Sequence, residues 1–176
     1  MTDLQWLMIL LPIVFMIHDF EEIVMFEMWL CKNREKLKRR FPKLEKFLTR
    51  NGFFAYSTAD FAVAVAFEFV LLSAVCYLSV GMGNYGWWFA AFMAFFVHLW
   101  VHIVQWLVYG SYIPMIITTF LAFPYCFYAL WKFTQSGILS VEQMFWWTMV
   151  GIVLMVASFP MAFFGASKFR KFREKY

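Results

Sequence analysis

The chain has 176 residues, of which 64% are hydrophobic, 23% aromatic and only 15% charged, with a formal net charge of +4 and a mean hydropathy of +0.68. This composition excludes a water-soluble globular domain and an intrinsically disordered chain, and leaves an integral membrane protein. Cys31, Cys76 and Cys126 are odd in number and lack CxxC or Cys/His spacing, so they argue for neither a disulfide framework nor a thiolate metal site and read as packing residues.

Five apolar stretches follow one another, at 4–30, 52–80, 84–109, 112–131 and 141–165, each at or above the roughly 20 residues a spanning helix needs. With no repeat, Pro- or Ser-rich linker or soluble module between them, residues 1–176 are expected to form one all-α domain, a polytopic bundle of about five transmembrane helices. The first stretch carries Asp3 instead of a basic leader and runs too long for a signal peptide, so it is expected to remain in the mature protein.

That first stretch contains His18-Asp19-Phe20-Glu21-Glu22. Ionisable side chains inside the hydrocarbon layer cost several kcal/mol unless they face protein or water and find a partner. One imidazole and three carboxyls in five residues therefore point to proton, metal or ion chemistry.

Orientation follows from the positive charge. Nine of the fifteen Lys and Arg residues fall in loop 31–51, five in tail 166–176, and Lys132 stands alone. Four spans separate loop from tail, so both are expected on the cytoplasmic side of a cell membrane, with the N-terminus outside. Leu37, Phe41, Leu44, Phe47 and Leu48 recur at helical intervals in the loop, and Phe169, Phe172 and Tyr176 in the tail. Both segments suit the headgroup layer and anionic lipid, or serve only to set topology; Pro42 breaks or kinks the first. Nothing resembles a nucleic-acid module.

At about 100° and 1.5 Å per residue, His18, Glu21 and Glu22 share one face. Asp19 sits at its margin, and Glu27 points away as an interfacial residue. In the third stretch His98 and His102, four residues apart, also share a face and lie at matching depth: Glu22 is eight residues inside Leu30 and His102 seven inside Tyr109. Asp60 and Glu68 of the second stretch add carboxylates, and Gln105 and Tyr112 add hydrogen bonds near the cytoplasmic rim. Imidazole and carboxylate at i, i+3 and i+4 suit a divalent metal. Ser111 is placed to cap the fourth helix and Pro114 to sit in its first turn. Trp87, Trp88, Phe89, Trp146 and Trp147 read as interfacial anchors or lipid-facing bulk.

These residues resemble the HXXEE family of small integral membrane proteins. His18, Glu21 and Glu22 match its His-x-x-Glu-Glu, and His102 followed by Tyr112-Ile113-Pro114 resembles its later histidine and Tyr-x-Pro-Gly; Met115 stands in place of that glycine. The resemblance implies an integral membrane protein of suspected enzymatic activity with no assigned substrate.

The reading is a membrane enzyme acting on a lipid-like or other hydrophobic substrate. His18, Glu22 and His102 bind zinc, iron or manganese; Glu21 is the general base; His98, Asp60, Glu68 and Tyr112 support them. Glu21 and Glu22 can exchange roles, and the set suits hydrolysis and metal-dependent oxidation alike. The alternatives are metal-free acid/base isomerisation of a lipid, a proton or metal-ion transporter, and a non-catalytic scaffold.

Overall fold

The computed structural model describes residues 1–175; Tyr176 lies outside the described residues. These form seven α-helices and one 3-10 turn: α1 (Asp3–Ile9), α2 (Leu11–Arg40), α3 (Pro42–Arg50), the turn Phe53–Ala55, α4 (Thr58–Met82), α5 (Tyr85–Tyr109), α6 (Ile116–Gln135) and α7 (Val141–Arg173). The protein is all-α. Four helices, α4 to α7, are long and apolar enough to cross a membrane. The first stretch, 4–30, becomes α1 and the first two-thirds of α2, whose acidic cluster keeps it outside that group of four. It nevertheless packs against α4 and α6, with Ile13, Ile17, Phe20, Val24 and Met28 exposed on its outer face.

The break between α1 and α2 has a local cause. Pro12 lacks the N–H that would bond the Met8 carbonyl, and the Trp88 indole Nε1–H, 3.0 Å away, donates to it instead. Trp88 and Phe89 are therefore core residues, 0% and 2% exposed, which corrects the lipid-facing reading; Trp87 does face outward. Trp88, Phe92 and Phe133 stack at this end of the bundle, forming an aromatic floor below the polar residues.

At the opposite, basic end, α2 runs on through most of the loop, stops at Phe41 before Pro42, and turns into α3. Leu37, Phe41 and Leu48 pack with Leu30, Tyr109 and Ile113, while Leu44 and Phe47 stay exposed. Some of the basic residues have structural work: Arg40 Nη1 donates to the Tyr109 carbonyl at 2.7 Å, satisfying the C-terminus of α5, and Lys36 lies 4.0 Å over the Tyr109 ring.

The second stretch begins as a helix only at Thr58, because Gly52 is left-handed and the Ser57/Asp60 capping box sets the start. The tail is not a separate surface segment. It continues α7, and Arg173 pairs with Asp60 through two hydrogen bonds of 3.2 and 2.8 Å, while Arg170 donates to the Gly52 carbonyl at 3.3 Å. Loop and tail thus meet at one end of the bundle. Near their N-terminal ends, α5 and α7 approach closely enough that a Cβ on Gly151 would overlap the Ala90 carbonyl and one on Gly86 the Trp147 ring; small residues permit such close helix contact.

Candidate functional site

His18 projects from α2 toward α5 and is fully buried; His102 is 3% exposed and His98 partly buried. One nitrogen from each of the three rings lies within 4.8 Å of the other two. Hydrogen bonds fix two of the tautomers. Gln105 Oε1 lies 2.9 Å from His102 Nδ1; an amide oxygen only accepts, so His102 carries its proton on Nδ1 and presents a lone pair at Nε2. That Nε2 is 2.8 Å from His98 Nε2, which donates to it.

His18 is set by a longer chain. Thr118 Oγ1 is 2.7 Å from Glu21 Oε2 and 3.3 Å from His18 Nδ1. Its single proton goes to the carboxylate, the shorter and charge-assisted partner, so Thr118 accepts from His18 Nδ1–H. The lone pair of His18 then lies on Nε2, which is buried and has no hydrogen-bond partner. Buried polar atoms are nearly always paired, and an orphaned imidazole nitrogen beside two other imidazoles is the site's most telling feature.

Glu21 is also the cap of another helix. Its Oε2 accepts the Thr118 backbone N–H at 2.8 Å and its Oε1 the Tyr112 hydroxyl at 2.7 Å. Thr118 lies in the first turn of α6, whose own N-cap, Met115, supplies no side-chain bond; the negative charge also suits that helix terminus. Burial, reinforced by the Glu21 carboxylate, pushes the Tyr112 phenol up, so it remains a donor. Glu27 plays the same part for α4, accepting from Thr58 N and Oγ1 at 2.7 and 3.0 Å, so it is more than an interfacial residue.

The turn before α6 also departs from expectation. Ser111 accepts from Lys36 Nζ at 2.7 Å and does not cap the helix; Pro114 precedes α6. Met115 has φ 70°, the one positive φ on a non-glycine among the described residues. The conformation that a glycine adopts freely is kept here by methionine.

Glu22, expected beside His18 and His102, lies instead against Asp19, carboxyl to carboxyl. Glu68 is near Asp19 and near Ser158 of α7; one oxygen each of Asp19 and Glu68 is buried without a partner. This acidic cluster faces α4 and α7. Asp60 is spent on Arg173 and on Ser57 and takes no part in the histidine group. Thr118, which joins Glu21 to His18, escaped the sequence reading; its only signal was position, a hydroxyl three residues past the left-handed turn.

The motif's three residues thus serve three neighbours, and histidines of a second helix complete the group around His18. No curated protein and no solved structure matches the chain. A family model, described as a protein of unknown function with HXXEE motif, matches residues 9–129, a span that holds His18, Glu21, Glu22, His98, His102 and the Tyr112–Met115 turn but not α7. With His-x-x-Glu-Glu in place and more than half its length matched, the chain belongs to the HXXEE family.

Proposed function

We propose that the protein is an intramembrane enzyme that holds one divalent metal ion through His18, His98 and His102 and acts on a hydrophobic substrate. The observation that carries the reading is the buried, unpartnered Nε2 of His18 within 4.8 Å of ligand nitrogens on both other histidines. Three imidazoles with an open fourth position make a donor set suited to zinc or iron. Two of the rings already present Nε2 lone pairs, each held in that tautomer by a partner on Nδ1, Gln105 in one case and Thr118 backed by Glu21 in the other. His98 takes the Nδ1–H tautomer when it ligates. A divalent ion in this set supplies Lewis acidity toward a substrate oxygen or water.

In this reading Glu22 leaves the ligand set to His98. Glu21 orients His18 through Thr118, and its Oε1, shared with the 37%-exposed Tyr112, is the oxygen available to move a proton. The runner-up is a proton or ion conduit, favoured by the buried, unpartnered oxygens of Asp19, Glu68 and Ser73. Against it, Gln143, one of the few polar residues toward the other end, is spent on the capping box of α7.

Elemental analysis of protein purified without chelator tests the proposal. About one ion per chain is expected, lost in His18→Ala and His102→Ala and retained in Glu22→Gln. Absence of metal from the wild type, or full occupancy in the double histidine variant, overturns it; proton or ion flux through wild-type vesicles that is lost in Asp19→Asn favours the conduit.

A further inference from the structure

The segment between α2 and α4 holds nine of the chain's Lys and Arg residues, and the fold sorts them. Arg34 pairs with Glu45 at 3.4 Å and lies 4.4 Å over the Phe54 ring, while Lys36 and Arg40 are engaged at the end of α5. The other six, Lys32, Lys38, Arg39, Lys43, Lys46 and Arg50, are exposed and make no hydrogen bond or ion pair among the described residues. Three of them stand on α3. The inner side of that helix is occupied by Leu48, packed with Leu30, Leu37 and Tyr109, and by Glu45, whose 15%-exposed side chain accepts from Arg34 and from the Thr49 hydroxyl at 2.9 Å. The one carboxylate of α3 is thereby turned inward and neutralised, and its outward side carries positive charge alone.

We propose that α3 binds anionic glycerophospholipids: Leu44 and Phe47 enter the leaflet at the basic end of the bundle, and Lys43, Lys46 and Arg50 hold the lipid phosphates. At about 100° per residue, Leu48, Leu44 and Phe47 span an apolar arc of about 100°, adjoined by a cationic arc of about 60° that bears Lys43, Arg50 and Lys46. Leu44 is 46% and Phe47 56% exposed. An apolar strip bordered by cations is the pattern of a helix held at a charged lipid surface. The tail does not offer the same surface, because Arg170 and Arg173 are spent on Gly52 and Asp60. The assignment is independent of the histidine group and of the chemistry proposed there.

Contacts fix both the height of α3 and the side it turns to lipid. Asn33 accepts from the Tyr109 hydroxyl at 2.8 Å, and its neighbour Arg34 reaches Glu45. The middle of α3 therefore stands level with the last residue of α5, where that candidate span ends. The Phe47 ring lies 6.2 Å from Phe53, and Phe53 lies 5.0 Å from Phe163, within the candidate span of α7. The apolar arc is thus continuous with side chains at membrane depth, and the cations beside it are held at headgroup height. Phosphate is the anion concentrated there, and each Lys or Arg near an anionic leaflet gains about fivefold in affinity.

Photolabelling with a matched pair of lipids tests this. The full chain is placed in mixed phosphatidylcholine and phosphatidylglycerol vesicles that carry, in separate samples, a trace of one or the other lipid with a diazirine close to its ester. After irradiation the labels are mapped by peptide mass spectrometry. On α3 the phosphatidylglycerol label is expected to exceed the phosphatidylcholine label by at least about fivefold, the gain from a single cation at the surface. At Val141–Trp146, the other end of the bundle, which has Glu142 and no Lys or Arg, phosphatidylglycerol should have no advantage. Lys43→Gln, Lys46→Gln and Arg50→Gln together should bring α3 to that same ratio, and rising salt should approach it progressively. Leu44→Ser with Phe47→Ser should lower both labels on α3 alike. Equal labelling by the two lipids, or a ratio indifferent to the triple variant, overturns the selection of anionic headgroups. Absence of both labels from α3 in a chain labelled along α4 overturns the lipid contact itself, and a protein cross-link at Phe47 in native membranes would then give this face to a protein partner.

Discussion

Glu21→Gln separates a carboxylate that builds the site from one that only exchanges protons. Glu21 accepts three hydrogen bonds, of 2.7, 2.8 and 2.7 Å, from the Tyr112 hydroxyl, the Thr118 amide and the Thr118 hydroxyl. A hydrogen bond to a charged group contributes about 1.5–3 kcal/mol and a neutral one about 0.5–1.5, so neutralising the acceptor removes about 1 kcal/mol from each, or about 3 in total. Losing the charge at the α6 N-terminus adds about 0.3–1 kcal/mol. The glutamine oxygen still serves Thr118, and its Nε2 faces Tyr112, whose hydroxyl turns round to accept. The expected loss is therefore about 3–4 kcal/mol, read from reversible unfolding in mixed micelles. A carboxylate acting only as a base would leave stability unchanged. Combining Glu21→Gln with Thr118→Val closes a double-mutant cycle, with an expected coupling of about 1–2 kcal/mol for groups in direct contact. Coupling below about 0.3 kcal/mol, within the scatter of independent sites, would refute the assignment of Glu21 to α6.

Met115→Gly should be more stable than Met115→Ala by about 1 kcal/mol in the same assay, because both lose the side chain and only glycine relieves the left-handed backbone; the opposite order would mean the backbone at 115 carries no strain. Gln105→Leu should weaken metal binding about 10- to 100-fold, as loss of a hydrogen bond to the far nitrogen of a ligand histidine typically does, and competition with a chromogenic chelator reads it. Reporters fused after Arg40 and at the C-terminal end should report the same side of the membrane, since α4 to α7 lie between them; opposite sides would require an odd number of crossings.

The all-helical bundle was readable because apolar length alone identifies α4 to α7, and Gly110 and Gly83 end α5 and α4 where the periodicity stops. Convergence of His18 with His98 and His102 was readable as well, since equal depth on helices of known rise needs no side-chain detail. Partner choice across helices was not. Whether Glu22 or His98 stands beside His18 depends on the crossing of α2 and α5, and no local pattern encodes that angle. The cap on α6 was hidden for a related reason: local rules look for a capping side chain next to its helix, in Ser111, whereas the one used comes from Glu21, 97 residues earlier than Thr118. Likewise Arg173 read as a membrane-surface cation because nothing near it in sequence announces Asp60.

The spacing of the motif explains why a second helix is needed. From His18, Glu21 is turned by about −60° and Glu22 by about +40° on a helix of 3.6 residues per turn, so the two carboxylates diverge by about 100° and address different neighbours. The contacts follow that divergence, Glu21 to α6 and Glu22 into the cluster that Asp19 and Glu68 form toward α4 and α7. Three side chains so arranged brace α2 on two sides while His18 points between them, yet they do not all meet at one centre. His98 and His102, only about 40° apart on α5, do converge. A single imidazole held by the motif, and a pair held by a facing helix, is the division of labour that places one nitrogen of each of the three rings within 4.8 Å of the others. It also makes Thr118 and Gln105 the groups that decide which nitrogen His18 and His102 present: one answers to a carboxylate, Glu21, the other stands on the exposed face of α5.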